Sequence, residues 1–411
     1  MPELYGLEGP LLSPLSPDRA KWIAPGLLAY GRDGVIVHSG PRRNIAGLKP
    51  IRIPKGTIII PGLIDCHSHL SQHQAVGRTG FTLLGWLKKH IYPAELRLAG
   101  RREAERSSRD YLEILLANGV TCSALYTNFY QGVLAAHHQA KRCGIRALIG
   151  YTLMDRNVPA RLKQNPDQAI GECRELAEVF KADNGEGRLF FSLNPRFAPA
   201  CSPNFLKSIG RLARQGGLFI QTHLSENLQE IARVKSSFPW AKSYAGVYDR
   251  FGLLTPKTLL AHCIHLSPAE RQLVFDRECA VIHCPSSNLF LHSGRFPLEH
   301  WAGYPKLALG SDLAAGPSPS MLEVMRDGYY TNLQSMRSLF HMATLGAAQS
   351  LGLDDSLGSL EPGKQADFSI VRIRGLDEEG SEQVLARMVF QRAEFVKTFI
   401  SGRQVWPPPR K

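Results

Sequence analysis

The sequence predicts an α/β fold, because short apolar runs alternate with helix-like segments along most of its 411 residues. Such alternation favours parallel strands. No Gly-x-Gly-x-x-Gly turn, which is typical of a dinucleotide-binding doubly wound sheet, follows an early strand. The predicted strands cover residues 57–60, 121–125, 145–150, 189–193, 218–222, 258–261, 280–282 and 306–310. The predicted helices include residues 101–118, 168–181, 203–215 and 268–276. Eight such units predict a distorted (β/α)8 TIM-type barrel, whose functional site lies at the carboxyl ends of its strands.

The two ends of the chain differ from this central part. Residues before about 60 are rich in Gly and Pro and contain strand-like pieces such as 34–38, while two more candidate strands lie within 363–371 and 395–400. We therefore expect residues 1–60 and 361–411 to pair into a small β-sandwich domain, with the barrel at residues 61–360.

The composition indicates a cytoplasmic globular protein. Hydrophobic residues make up 44% of the chain and charged residues 21%, which are ordinary fractions for a soluble domain. No apolar stretch approaches the ~18 residues of a membrane span, and the N-terminus lacks the basic start and apolar segment of a signal peptide. The eight cysteines are dispersed without Cys-x-x-Cys spacing, which favours reduced thiols over a zinc knuckle or a disulfide scaffold.

The net charge of +13 raises the question of a nucleic-acid partner. The basic residues are scattered in pairs, and they form no long block and no series interleaved with aromatic residues. We therefore expect neither nucleic acid nor a membrane as a partner, and the charge itself is left without an assigned role.

Polar side chains follow several of the predicted strands. His67 and His69 come after the run at 57–60, and on an extended backbone two residues this far apart point to the same side. Later strand ends carry further candidates: His223, Glu226, His262 and Asp312. Because all carboxyl ends of a barrel meet at one mouth, these residues are predicted to form a single site.

The chemistry of these side chains indicates a hydrolytic metal centre. Three imidazoles and one carboxylate suit either Zn²⁺ or Fe²⁺: His67, His69, His223 and Asp312. A metal-bound water loses a proton near neutral pH. Asp312 would take that proton, Glu226 would carry protons to the substrate, and His262 would orient the attacking oxygen. Taken singly, Glu226 also fits an acid at a helix N-terminus and Asp312 fits a turn cap, so their joint position carries the prediction.

The ordered motifs resemble the amidohydrolase superfamily and, within it, the guanine deaminase family. The metal motifs specify only the superfamily. The narrower resemblance, which covers roughly residues 55–370, depends on six further segments: Leu-Gly-Trp-Leu at 84–87, Tyr-Pro-Ala-Glu at 92–95, Asn-Pro-Arg-Phe-Ala-Pro at 194–199, and residues 247–255, 283–288 and 358–364.

This resemblance implies hydrolysis of guanine to xanthine and ammonia, with one zinc ion per chain held by the four residues above and a homodimeric assembly. By residue match, Gln72, Arg196 and Phe197 would hold the purine and Trp86 would cover its ring. An Arg donor suits the 6-oxo group of guanine and would meet a donor amino group in adenine. The predicted strand that leads to Arg196 contains no Lys of the kind that bridges two metals in some relatives, which favours one metal.

Other functions remain open at this point. Cys263, His265 and residues 74–78 and 314–317 depart from the family pattern, so exact substrate preference is not settled. The main alternative is a related aminohydrolase that acts on another amino-heterocycle, such as the triazine ammeline or an oxidised purine. A catalytically inactive barrel that serves as a scaffold is disfavoured, because every predicted ligand is retained.

Overall fold

Two sheets and the helices packed around them make up the molecule, seen here in a computed structural model that describes residues 3–183, 187–376 and 380–408. The strands are β1 Leu4–Ser16, β2 Arg19–Gly31, β3 Ile36–Pro41, β4 Ile51–Arg52, β5 Thr57–Pro61, β6 Leu63–His69, β7 Val120–Thr127, β8 Arg146–Leu153, β9 Leu189–Pro195, β10 Phe219–Leu224, β11 Thr258–His262, β12 Ala280–His283, β13 Leu307–Leu309, β14 Phe368–Arg372, β15 Glu394–Ile400 and β16 Arg403–Trp406.

The helices follow the strands in regular order through the middle of the chain. They are α1 Leu83–Trp86, α2 Tyr92–Glu95, α3 Arg101–Ala117, α4 Tyr130–Cys143, α5 Pro166–Asp183, α6 Pro203–Gly216, α7 Leu228–Ser237, α8 Tyr244–Arg250, α9 Pro268–Asp276, α10 Pro285–Phe290, α11 Met321–Asn332, α12 Met336–Met342, α13 Leu345–Leu351 and α14 Ser381–Phe390. Among these described helices, none is both long enough and apolar enough to cross a membrane.

The predicted barrel is confirmed. Strands β6 to β13 pair in sequence order, and every pair is parallel. Just beyond the strands, the backbone N–H of Asp312 donates to the carbonyl oxygen of His67 at 2.8 Å, which joins the last strand to the first. Asp65 strengthens this seam, because its carboxylate accepts the backbone N–H of Ser311 at 2.9 Å and the Ser311 hydroxyl at 2.5 Å.

The run at residues 57–60 was predicted as the first barrel strand, and this assignment is wrong. Thr57–Pro61 is β5 of the other sheet, where it pairs antiparallel with β14 and parallel with β1. The chain passes into the barrel at Gly62, where a Cβ would lie 2.0 Å from the Thr121 hydroxyl oxygen, so only Gly fits. The histidine pair lies within the first barrel strand itself, β6.

The second sheet is built from both ends of the chain, as predicted. Its strand order is β16-β15-β14-β5-β1-β2-β3, and β4 lies beside β1. The predicted domain bounds at residues 60 and 360 stay predictions, and residues 1–2, 377–379 and 409–411 of the predicted β domain lie outside the described residues.

Local sequence explains where the barrel helices begin and end. Helix α9 begins with a capping box, in which Ser267 and Glu270 each accept the other's backbone N–H. Helix α6 begins at Pro203 after the N-cap Ser202, and it ends before Gly217, whose φ of +58° suits a left-handed C-cap.

A buried ion pair connects the two sheets. The guanidinium of Arg146, at the start of β8, donates to the Asp367 carboxylate at 2.7 and 3.2 Å, and both residues are buried. Asp367 directly precedes β14 and also accepts the backbone N–H of Ser401 at 2.8 Å. One carboxylate therefore fixes the barrel to two segments of the second sheet.

Replacing Asp367 with Ala should lower the free energy of unfolding by about 3–5 kcal/mol, because it removes one partner of a buried ion pair. Chemical denaturation measures this loss. The matched control Glu394→Ala removes a carboxylate from an exposed pair with Arg372 and should cost less than about 1 kcal/mol. Equal losses in the two variants would contradict the structural role given to Asp367.

Candidate functional site

Four side chains converge at the carboxyl end of the barrel. His67 and His69 lie in β6, His223 lies in β10, and Asp312 follows β13. Asp312 Oδ1 lies 3.3 Å from His67 Nε2 and 3.2 Å from His69 Nε2, and the Nε2 atoms of His69 and His223 are 3.3 Å apart. The structure thus brings together all four predicted metal ligands, although they come from distant parts of the chain.

The donor set fits a divalent metal ion. A tetrahedral ion with bonds of about 2.1 Å separates neighbouring ligand atoms by about 3.4 Å, close to the distances between these side chains. All four residues are buried. Burial lowers the pKa of His69 to about 3 and lowers the pKa of His223 well below its usual value, so both imidazoles are neutral and offer lone pairs. A neutral imidazole is the form that binds a metal ion.

Neighbouring groups orient the ligand atoms. His223 Nδ1 donates to the carbonyl oxygen of Arg196 at 2.6 Å, which leaves Nε2 without a proton and directed at the site. The Ser287 hydroxyl donates to Asp312 Oδ2 at 2.6 Å, so Oδ1 is the oxygen that faces the imidazoles. Sequence reasoning did not find Ser287, although it lies in a segment already singled out at 283–288.

Glu226 and His262 lie beside the ligands. His262 Nε2 is 3.5 Å from Glu226 Oε2 and 3.7 Å from Asp312 Oδ2, and Nδ1 lies 2.9 Å from the side-chain oxygen of Asn288. The Ser293 hydroxyl donates to Glu226 Oε1 at 3.0 Å. Burial raises the pKa of Glu226 to about 7, a value at which a carboxyl both takes up and releases a proton. Burial opposes protonation of His262, but Glu226 and Asp312 outweigh it and raise the pKa of His262.

Four residues are predicted to bind substrate, and they line one cavity together with His69, His223, Glu226 and Asp312: Gln72, Trp86, Arg196 and Phe197. The Trp86 indole N–H donates to the carbonyl oxygen of Arg78 at 2.6 Å, and its ring packs in an apolar cluster that includes Phe197 and Leu291. Trp86 therefore combines core packing with a place on the cavity wall.

Arg196 has a partner that sequence reasoning missed. Its Nη1 donates to both carboxylate oxygens of Glu95, at 2.6 and 2.8 Å, and the two side chains are buried. The side-chain nitrogen of Gln72 donates to the same carboxylate at 2.9 Å. The sequence does contain one indication of this partner, because the segment at 92–95 that contributes to the family resemblance ends in an acidic residue. The pair is buried beside the cavity and is not a surface ion pair.

Comparison with known proteins decides the family. The model of the amidohydrolase family matches residues 58–405. The chain belongs to the amidohydrolase family. Enzymes of this family are metal-dependent hydrolases, in agreement with the buried ligand set at the barrel mouth.

Individual relatives of this amidohydrolase are similar to it in sequence or in structure over most of their length. Guanine deaminase of Escherichia coli K12 is 33% identical over 374 residues, which cover 87% of this chain and 84% of the relative. A solved guanine deaminase from C. acetobutylicum with bound guanine superposes with a TM-score of 0.91 at 28% identity, covering 98% of this chain and 100% of that one. An adenosine deaminase from Xanthomonas campestris with bound zinc has a TM-score of 0.82 at 25% identity, covering 97% and 92%.

The assignment of the four metal ligands stays a prediction that metal analysis can test. His223→Ala should weaken metal binding at least about 100-fold, so the dialysed protein should lose its metal. Elemental analysis by mass spectrometry measures the ratio of metal to protein. His300→Ala, which removes an exposed imidazole, is the matched control and should retain the metal. Full metal content in the His223 variant would contradict the assignment.

Proposed function

We propose that this amidohydrolase hydrolyses guanine to xanthine and ammonia. The observation that carries the proposal is one cavity at the barrel mouth, lined by the candidate ligands His69, His223 and Asp312, by Glu226, and by the polar side chains of Arg196 and Gln72. The relatives named above as guanine deaminases, one of them with bound guanine, support the same substrate. Release of equal amounts of xanthine and ammonia from guanine by the purified, metal-loaded protein tests it, and no release across neutral pH would refute it.

The proposed reaction forms a bond between purine C2 and a water oxygen and breaks the bond between C2 and the amino nitrogen. His67, His69, His223 and Asp312 would hold the metal ion, which would lower the pKa of a bound water toward neutrality. Arg196 donates to the 6-oxo group, and Phe197 and Trp86 enclose the ring. Glu226 takes the proton of the attacking water at Oε2, since Oε1 accepts from Ser293, and delivers it to the departing amino group. His262 donates toward the attacking oxygen.

The proposed metal is Zn²⁺, one per chain, although the ligand set also suits Fe²⁺. Strand β9 contains Ser and Asn but no Lys, so it offers no carboxylated lysine to bridge a second ion. Elemental analysis of protein purified without added metal distinguishes zinc from iron.

We further propose that the protein acts in the cytoplasm as a homodimer. All eight cysteines are free thiols, which fits a reducing compartment. The neighbouring rings of Tyr330 and Phe390, which are 62% and 40% exposed, offer an apolar surface for a second subunit. Light scattering of the purified protein tests the assembly.

Glu226→Gln should lower kcat for guanine by about 10²- to 10⁴-fold with little change in KM, because it removes the proton carrier but keeps the shape of the cavity. Steady-state kinetics and metal analysis measure both effects, and the metal should remain bound. The control Glu299→Gln makes the same change in an exposed pair with Arg295 and should leave kcat unaltered. A variant with wild-type kcat would exclude Glu226 as the proton carrier.

Arg196→Ala separates guanine from other amino-heterocycles as the substrate. It should lower kcat/KM for guanine by at least about 10²-fold, because a site built to hydrogen-bond one substrate group depends steeply on that bond. Arg295→Ala, which removes a surface guanidinium, is the control. If a triazine such as ammeline or an oxidised purine is the better substrate and its turnover is insensitive to Arg196, the guanine proposal fails in favour of that compound.

A further inference from the structure

The carboxylate of Glu95 is the most heavily bonded acceptor beside the cavity. It is fully buried at 0% exposure and receives two bonds from Arg196 Nη1, one from Gln72 at 2.9 Å, and one from the side-chain nitrogen of Asn128 at 3.3 Å. Asn128 is fixed in turn, because its side-chain oxygen accepts the hydroxyl of Ser71 at 2.8 Å. These bonds hold Glu95 in one position and saturate it.

The chemistry of this carboxylate determines what its neighbours present to the cavity. A carboxylate only accepts hydrogen bonds, so the Gln72 amide must turn its nitrogen to Glu95. The Gln72 oxygen then remains as the acceptor available on the cavity wall. Arg196 spends Nη1 on Glu95 and keeps Nη2 and Nε as donors, and the Tyr92 ring lies 5.5 Å from the guanidinium carbon. Helix α2 contributes both Tyr92 and Glu95, so one short segment holds Arg196 from two sides.

We propose that Glu95 is a positioning residue that determines which hydrogen-bonding atoms face the cavity. Through its contacts, Gln72 presents an acceptor and Arg196 presents donors beside it. That pairing recognises a lactam edge, in which a ring N–H adjoins a carbonyl, as at N1 and C6 of a 6-oxopurine. Adenine presents the reverse, a ring acceptor beside an amino donor, and is excluded by both residues. The identification of guanine as the substrate with this edge rests on the proposed function. The preference for a lactam edge is argued from the contacts of Glu95 alone.

Binding of two unreactive purines to the metal-loaded full chain tests the proposal. Hypoxanthine has the lactam edge without the 2-amino group, and adenine has the reversed edge. Glu95→Gln replaces an obligate acceptor with an amide that also donates, which lets Gln72 turn over. Calorimetry should show hypoxanthine bound at least about tenfold more weakly, adenine bound no more weakly, and KM for guanine raised. A loss of folded protein would lower the number of binding sites for both ligands equally and leave both affinities and KM unchanged.

The control and the conservative variant complete the design. Glu103 accepts from Gln74, Arg106 and Ser107 in a partly exposed cluster outside the cavity lining, so Glu103→Gln should leave both affinities within about twofold. Glu95→Asp keeps the carboxylate but moves it away from Gln72 and Arg196, and should give an intermediate preference for hypoxanthine over adenine. If Glu95→Gln does not fold, the Glu95→Asp variant provides the test. A wild-type ratio of hypoxanthine to adenine affinity in these variants overturns the proposal. If the wild type fails to deaminate guanine but this ratio depends on Glu95, the proposed function alone is wrong.

Discussion

The seam that closes the barrel is the constraint on which the site depends. The hydrogen bond from the Asp312 N–H to the His67 carbonyl joins the last strand to the first, and the same two residues supply candidate metal ligands. Gly310 makes the approach feasible, because a Cβ there would lie 2.6 Å from the Cβ of His67. Asp312 itself has a φ of +46°, an unfavourable conformation for a residue with a side chain, which the seam and the Ser287 hydrogen bond maintain. The contact that closes the barrel therefore also places two of the candidate metal ligands beside each other.

Charge compensation governs the remainder of the buried mouth. A carboxylate and a guanidinium removed from water are tolerated only with well-bonded partners, and Glu95 and Arg196 satisfy that requirement for each other. The carboxylate of Asp312, a candidate ligand, lies within 3.3 Å of the His67 and His69 imidazoles, whose pKa values burial lowers, and this arrangement suits a divalent cation.

The sequence was sufficient for the barrel and for the candidate ligand set, because strand–helix alternation and polar residues at strand ends are local patterns. It failed at residues 57–60, since an apolar run of that length is equally suited to either sheet and only pairing with β14 decides. It also missed Glu95, which lies 101 residues from Arg196 and acquires its role only when helix α2 packs against the mouth. Long-range side-chain pairs of this kind leave no periodic signal in one sequence.

This division explains why the metal chemistry was easier to infer than the substrate. The ligands lie on strands or directly beyond them, where backbone hydrogen bonds leave little freedom. Gln72 and Glu95 instead belong to the excursion between β6 and α3, a series of short helical turns whose position is not determined by the barrel. A change there can reverse a donor and an acceptor without disturbing the ligands. The proposed selection of the substrate edge therefore depends on that excursion, in which Glu95 contacts both Arg196 and Gln72.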